Sequence, residues 1–124
     1  LAPRSAGPRI NLATLLARER RFDEAAAHYA AAVELAPADV ELRLAFSDVL
    51  QALGRASAST EQLRHAVRLR PDDASLRNSL GVALAREARI QDALDEFREA
   101  VRLDPSNDSA RQNAERARRR LEGG

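Results

Sequence analysis

The chain has 124 residues, enough for one domain with a continuous core if every segment contributes to it. Apolar residues make up 44% of the sequence, many of them alanine, and aromatics are limited to Phe22, Tyr29, Phe46 and Phe97, a composition that favours closely packed helices. All 20 basic residues are arginine and face 19 acids, so a net charge of +1 gives no general electrostatic ground for nucleic-acid or membrane binding, and the absence of cysteine excludes disulfides, thiolate metal sites and cysteine nucleophiles.

The N-terminal extension, residues 1–5, leads straight into a first helix with Pro8 in its first turn. From there the chain repeats itself. AVELAP, AVRLRP and AVRLDP end at Pro37, Pro71 and Pro105, 34 residues apart, and a fixed period in this range outranks every other signal. The first halves AGPRINLATLLARERR (6–21), VELRLAFSDVLQALGR (40–55) and ASLRNSLGVALAREAR (74–89) align without a gap. So do the second halves, FDEAAAHYAAAVELAPAD (22–39), ASASTEQLRHAVRLRPDD (56–73) and IQDALDEFREAVRLDPSN (90–107). Three repeats therefore span 6–39, 40–73 and 74–107.

Each half reads as a helix. Leu76, Leu80, Ala83 and Leu84, then Leu94, Phe97 and Val101, recur at steps of three and four, which places each set on one helical face. Between halves sit Arg20-Arg21, Gly54-Arg55 and Ala88-Arg89, of which only Gly54 is a strong breaker, with Asp23, Ser57 and Gln91 as helix-start residues. Between repeats the prolines punctuate, because proline lacks the amide proton a helix needs, and Asp39, Asp73 and Asn107 are N-cap candidates. Ala56–Ser59 is the weakest helix start. Residues 108–124 read as one further helix and tail, with a thin stripe of Ala110, Ala114, Ala117 and Leu121 and arginines around it, suited to sealing the last open face of a repeat array. The first helix has no such cover on its outer side, which predicts self-association or a longer parent array.

This pattern resembles the tetratricopeptide repeat family. The family's small-residue positions correspond to Ala13, Ser47 and Gly81, to Ala25, Ser59 and Ala93, and to Ala32, Ala66 and Ala100. Its larger packing positions correspond to Leu12, Phe46 and Leu80, to Leu16, Leu50 and Leu84, and to Tyr29, Leu63 and Phe97. The resemblance implies an all-α, right-handed superhelical solenoid of antiparallel helix pairs, three 34-residue repeats plus a C-terminal capping helix, about seven helices in all. It further implies a concave face that holds a peptide or protein segment, lined by Ile10, Thr14 and Arg18, then Leu44, Asp48 and Gln51, then Asn78, Val82 and Arg86, with Gln112 closing the row. One departure is an arginine in each repeat where the family favours an aromatic: Arg9, Arg43 and Arg77, with Arg111 matching in the tail. Aligned by period, these form a ladder whose stems cover the repeat interface or whose charges form a rail for an acidic peptide. The family's carboxylate clamp falls on Ile10, Thr14, Ala45, Ser75 and Ser79, which carry no charge, and the groove asparagines, present at Asn11 and Asn113, are interrupted by Ala45 and Ser79.

No catalytic group assembles in the sequence. His28 and His65 fall at different repeat positions without the carboxylate spacing of a metal site, and the scattered glycines form no phosphate loop. The run Arg116, Arg118, Arg119, Arg120 has no interleaved aromatic for stacking on bases and is diluted by Glu115 and Glu122. The expectation is a non-enzymatic protein–protein interaction module, scaffold or adaptor, with no cofactor or metal and no nucleic-acid or membrane partner. The alternatives are a self-associating structural array and an appended docking region of a larger enzyme. No apolar run approaches the ~18 residues that cross a bilayer. The missing methionine points to a piece of a longer chain or a cleaved mature form, cytoplasmic, or periplasmic if a signal was removed, and the lysine-free composition to a GC-rich bacterial gene.

Overall fold

The computed structural model describes residues 5–123, so the first four residues of the expected N-terminal extension and the terminal Gly124 lie outside it. Seven helices account for nearly all of the described residues, and no strand occurs among them. They are α1 Gly7–Arg18, α2 Phe22–Leu35, α3 Val40–Ala52, α4 Ala56–Leu69, α5 Ala74–Arg86, α6 Ile90–Leu103 and α7 Asp108–Gly123.

Their ends follow from particular side chains. Asp39, Asp73 and Asn107 cap α3, α5 and α7, each accepting a hydrogen bond from the backbone N–H three residues on, at 3.1, 3.1 and 3.0 Å. Helices α2, α4 and α6 end at Leu35, Leu69 and Leu103, two residues before each proline. No side chain caps the starts of α2 and α6. Acidic first turns stand in, with Asp23 and Glu24 on α2 and Asp92 on α6. Asp23, Ser57 and Gln91 are thus second residues of their helices rather than caps.

The turns closing α1, α3 and α5 share one geometry. Arg20, Gly54 and Ala88 adopt φ of 60°, 76° and 63°, and the next residue's N–H returns to the carbonyl of Leu16, Leu50 and Leu84 at 2.9 Å. This is the left-handed helix stop in which glycine is usual, because a Cβ is crowded there. Gly54 shows the turn in the sequence; Arg20 and Ala88 do not, yet the repeat imposes it on them.

The chain divides into two compact units, Leu1–Gln62 and Leu63–Gly124. In the first, α1 packs on α2 and α2 on α3. Ala13, Ala25 and Ala32 are fully buried beside Leu16, Leu42, Phe46 and Leu50, and the Tyr29 and Phe46 rings lie 6.3 Å apart. The weak helix start at Ala56 is tied down, since the buried Ser59 donates from Oγ to the Ser47 carbonyl at 2.9 Å. In the second unit α5 packs on α6 and α6 on α7 around Leu76, Leu80, Leu84, Leu94 and Phe97. A Cβ placed on Gly81 would fall 2.4 Å from Phe97 Cε1, so the ring rests on bare α5 backbone.

Two of the periodic arginines are structural ties. Arg43 donates from Nε to the Pro37 carbonyl at 3.0 Å and from Nη1 to Gln62 Oε1 at 2.8 Å. Arg77 repeats the arrangement with Pro71, at 3.0 Å, and with Glu96, at 3.0 Å. Each clamps the proline loop before its helix to the helix after it. Arg111 instead pairs with Asp108, and Arg9 is exposed, so the four do not act as one ladder.

Two expected core positions are open. Leu12 is 42% exposed although its counterparts Phe46 and Leu80 are buried, because no helix precedes α1 among the described residues. Leu121 is 46% exposed because α7 runs straight on where α5, at the same register, has already ended at Arg86. Relieving the left-handed Ala88 with glycine is expected to stabilise the protein by about 0.5–1 kcal/mol, and Gly54→Ala to destabilise it by a similar amount. Denaturant midpoints of the two variants check this, and a lowered midpoint for Ala88→Gly would sink it.

Candidate functional site

The residues expected to line a groove sit on the first helices of the repeats, where a four-residue step keeps side chains on one side. In the first unit, Ile10 is half-buried against the core, and Thr14 Oγ1 lies 3.0 Å from Tyr29 Oη, a contact that bridges α1 to α2. Arg18 is exposed in the last turn of α1. On α3, Leu44 is half-buried and Asp48 exposed. Gln51 stands at the repeat position of Ala17 and Ala85, one residue ahead of that of Arg18 and Arg86, which Ala52 occupies. It stands one position beside the row rather than in it.

In the second unit the expected residues part company. Asn78 is engaged with α7: its Oδ1 accepts from Asn113 Nδ2 at 3.0 Å and its Nδ2 donates to Ser109 Oγ at 3.2 Å. Val82 and Arg86 instead enter a pocket of about 260 Å³ enclosed by α5, α6 and α7. Its apolar wall is Val82, Ala85, Ile90, Phe97 and Ala117, and its polar rim is Arg86, Asn113, Arg116 and Arg120. No carboxylate lines it. Gln112, one repeat period after Asn78, lies in a depression formed by α7 alone, beside Arg111, Glu115 and Arg116, the last of which also rims the pocket.

In the sequence Arg116 and Arg120 stand in the basic run of a polar terminal cap, not among the groove residues. The signal was present: they stand one repeat period after Val82 and Arg86. Phe97 and Ala117 belong to the apolar stripes of the sequence and are buried while still lining the pocket, whereas Ile90, which no stripe singles out, is half-buried on its wall.

The arginines of α7 are of two kinds. Arg118 is held by Glu115 and, at 2.6 Å, by Glu122, which drives its pKa further up, while the same hydrogen bond lowers that of Glu115. Arg119 reaches Glu115 at 3.1 Å, and Arg111 pairs with Asp108. Arg116 meets only the neutral Asn113, at 3.2 Å, and neither Arg120 nor Arg86 pairs with a carboxylate among the described residues. The histidines lie elsewhere: His65 contacts Arg68 at 2.9 Å, and His28 Nδ1 is buried without a partner. Among the described residues no cluster of three His, Asp or Glu side chains is placed to hold a metal.

A family model described as tetratricopeptide repeat matches residues 44–108, and a second model of the same description matches 7–39. No curated protein matches the sequence. Among solved structures, the first TPR of Spaghetti (RPAP3), bound to an HSP90 peptide, superposes with a TM-score of 0.83 at 15% identity, covering 99% of this chain and 98% of that one. The Sgt2 TPR domain from Aspergillus fumigatus gives 0.77 at 17% identity over 98% and 81% of the two chains. MamA from Desulfovibrio magneticus RS-1 gives 0.82 at 19% identity over 95% and 67%. At these identities the likeness is one of fold, an all-α helical-repeat solenoid.

One electrostatic prediction follows from the first unit. Although Asp48 is exposed, partial desolvation by the residues around its carboxyl raises the pKa above its ordinary 3.8. A carboxyl whose pKa is raised on folding favours the folded state while protonated, below 3.8, and this advantage is lost as pH rises through the folded value. Asp48→Asn is therefore expected to raise stability at neutral pH and to give no gain at a pH below 3.8, as read from thermal melts at the two conditions. A gain that persisted unchanged in acid would contradict it.

Proposed function

The chain belongs to the tetratricopeptide repeat family, and on that premise we propose that it is a non-enzymatic interaction module, a scaffold or adaptor that holds a peptide or protein segment against the first helices of its repeats. The observation that carries this is the α5–α6–α7 pocket, where Val82 and Arg86 stand over an apolar wall with no carboxylate. Its volume, about 260 Å³, suits individual side chains of a peptide better than a drug-sized molecule, whose pockets run from ~300 to 1,000 Å³. Peptide binding by a related fold lends support, since the Spaghetti domain holds an HSP90 peptide.

The proposed contact residues are Ile10, Thr14, Arg18, Leu44, Asp48 and Gln51 in the first unit and Asn78, Val82 and Arg86 in the second. Thr14 and Asn78 contribute by positioning, because their polar atoms already bond Tyr29 and Asn113. A clamp for a terminal carboxylate is not part of the proposal, since Ile10, Thr14, Ala45, Ser75 and Ser79 supply no charge. Nor is any cofactor, nucleic-acid or membrane partner, and no helix among the described residues is long and apolar enough to cross a membrane. A cytoplasmic location and the division into repeats 6–39, 40–73 and 74–107 with a capping helix at 108–124 complete it.

A second reading, self-association through the outer side of α1, is favoured by the exposure of Leu12 and Leu15, 42% and 51%. It predicts a solution mass that rises with concentration and falls to that of a monomer in Leu12→Arg/Leu15→Arg. A concentration-independent monomer would exclude it.

The main proposal is tested by selecting a random-peptide display library on the chain. Peptides are expected to enrich and to lose about tenfold or more in affinity for Leu44→Glu/Val82→Glu, a variant with unchanged helicity, because each glutamate places a charge against an apolar contact. No enrichment on the native chain, or enriched peptides indifferent to the substitutions, would refute it.

A further inference from the structure

We infer that the segment taken by the α5–α6–α7 pocket is acidic, with one large apolar side chain flanked by carboxylates; this rests on the interaction-module reading above. The wall supplies the apolar half. Val82, Ala85 and Ile90 are half-buried aliphatic surface around a space on the scale of one bulky side chain, and burying such a group there removes its area from water. The rim supplies the charge. Arg86, Arg116 and Arg120 are exposed, face the same pocket, and carry three positive charges with no carboxylate in the wall.

The contrast along α7 shows that this is a local arrangement. Arg111, Arg118 and Arg119 each have a carboxylate on their own helix, while Arg116 and Arg120, one turn apart on the pocket side, have none among the described residues. The helix dipole accounts for arginines in the last turns of α5 and α7, such as Arg86 and Arg120. It does not account for Arg116, in the middle of α7. A guanidinium reaches a carboxylate through two parallel donors, so an acidic side chain beside the anchor satisfies what the chain leaves open. Polyanionic nucleic acid fits less well. The pocket's one aromatic, Phe97, is 3% exposed and offers no face on which a base could stack.

The test uses peptides enriched by the display selection, measured against the native chain, Arg86→Gln/Arg116→Gln/Arg120→Gln and the corresponding triple lysine variant, with thermal melts to establish that all are folded. The expected result is enrichment of Asp or Glu around a Leu, Ile or Phe, a loss of about tenfold or more in the glutamine variant, and partial retention in the lysine variant. Enriched peptides without acidic residues, or binding indifferent to the glutamine variant, would overturn the inference while leaving the interaction module standing. Displacement of the peptides by oligothymidylate at lower concentration than by free acidic peptide would also overturn it, in favour of a nucleic-acid site. A failure to enrich any peptide would remove both.

Discussion

Close approach of helices through alanine is the condition on which the rest of this structure depends. Ala13, Ala25, Ala32, Ala66, Ala93 and Ala100 have no exposed surface at all, and they stand at repeat-equivalent positions. Helices normally pack 8–10 Å apart, and the lower end is reached only where the contacting side chains are small. The large residues then fill the spaces between those contacts: Leu16, Leu50 and Leu84 at one repeat position, Tyr29, Leu63 and Phe97 at another. At Gly81 the condition is strictest, because even a methyl group would meet the Phe97 ring. A chain with few aromatics can build the core of each unit this way, since the stabilising area comes from many short contacts rather than from a few bulky ones.

The same arrangement explains what could be read in the sequence. Caps and stops are chemical and local, so Asp39, Asp73, Asn107 and the three prolines announced their helix boundaries. Small and large packing positions recur with the period, so the buried set was visible too. The left-handed residues Arg20 and Ala88 were hidden, because tertiary packing forces a conformation that their own preferences oppose. Leu12 was misread as core, since periodicity tells which face of a helix is apolar and not whether a neighbour covers it. Leu121 failed for the related reason that its stripe continues past the end of the adjacent helix.

Arginine shows most clearly why composition is a poor guide to a site. A net charge of +1 describes an average over pairs that close on themselves, such as Arg118 with Glu115 and Glu122, or Arg102 with Glu99. Exposed pairs of this kind contribute little to stability and mainly cancel charge. Arg43 does something else: at 8% exposure it serves the Pro37 carbonyl and Gln62, and its role is to hold a loop. Residues of one type, spaced by one period, thus divide into ties, surface pairs and uncommitted cations. Only the geometry separates them.

The pocket in the second unit is itself a product of the core's small-residue rule. Gly81 lets the buried Phe97 ring settle on α5, and that ring lines the pocket together with Val82. The first unit carries the counterparts Ala13, Tyr29 and Thr14, and there the two hydroxyls meet at 3.0 Å and link α1 to α2. Phe97 has no hydroxyl and Val82 no acceptor, so the corresponding link between α5 and α6 is absent and their facing surfaces remain apolar. A change of two side chains within an otherwise equivalent repeat thereby turns a polar bridge into a dry wall. Around that wall stand Arg86 of α5 and Arg116 and Arg120 of α7, so the apolar surface left by the missing bridge is bordered by positive charge.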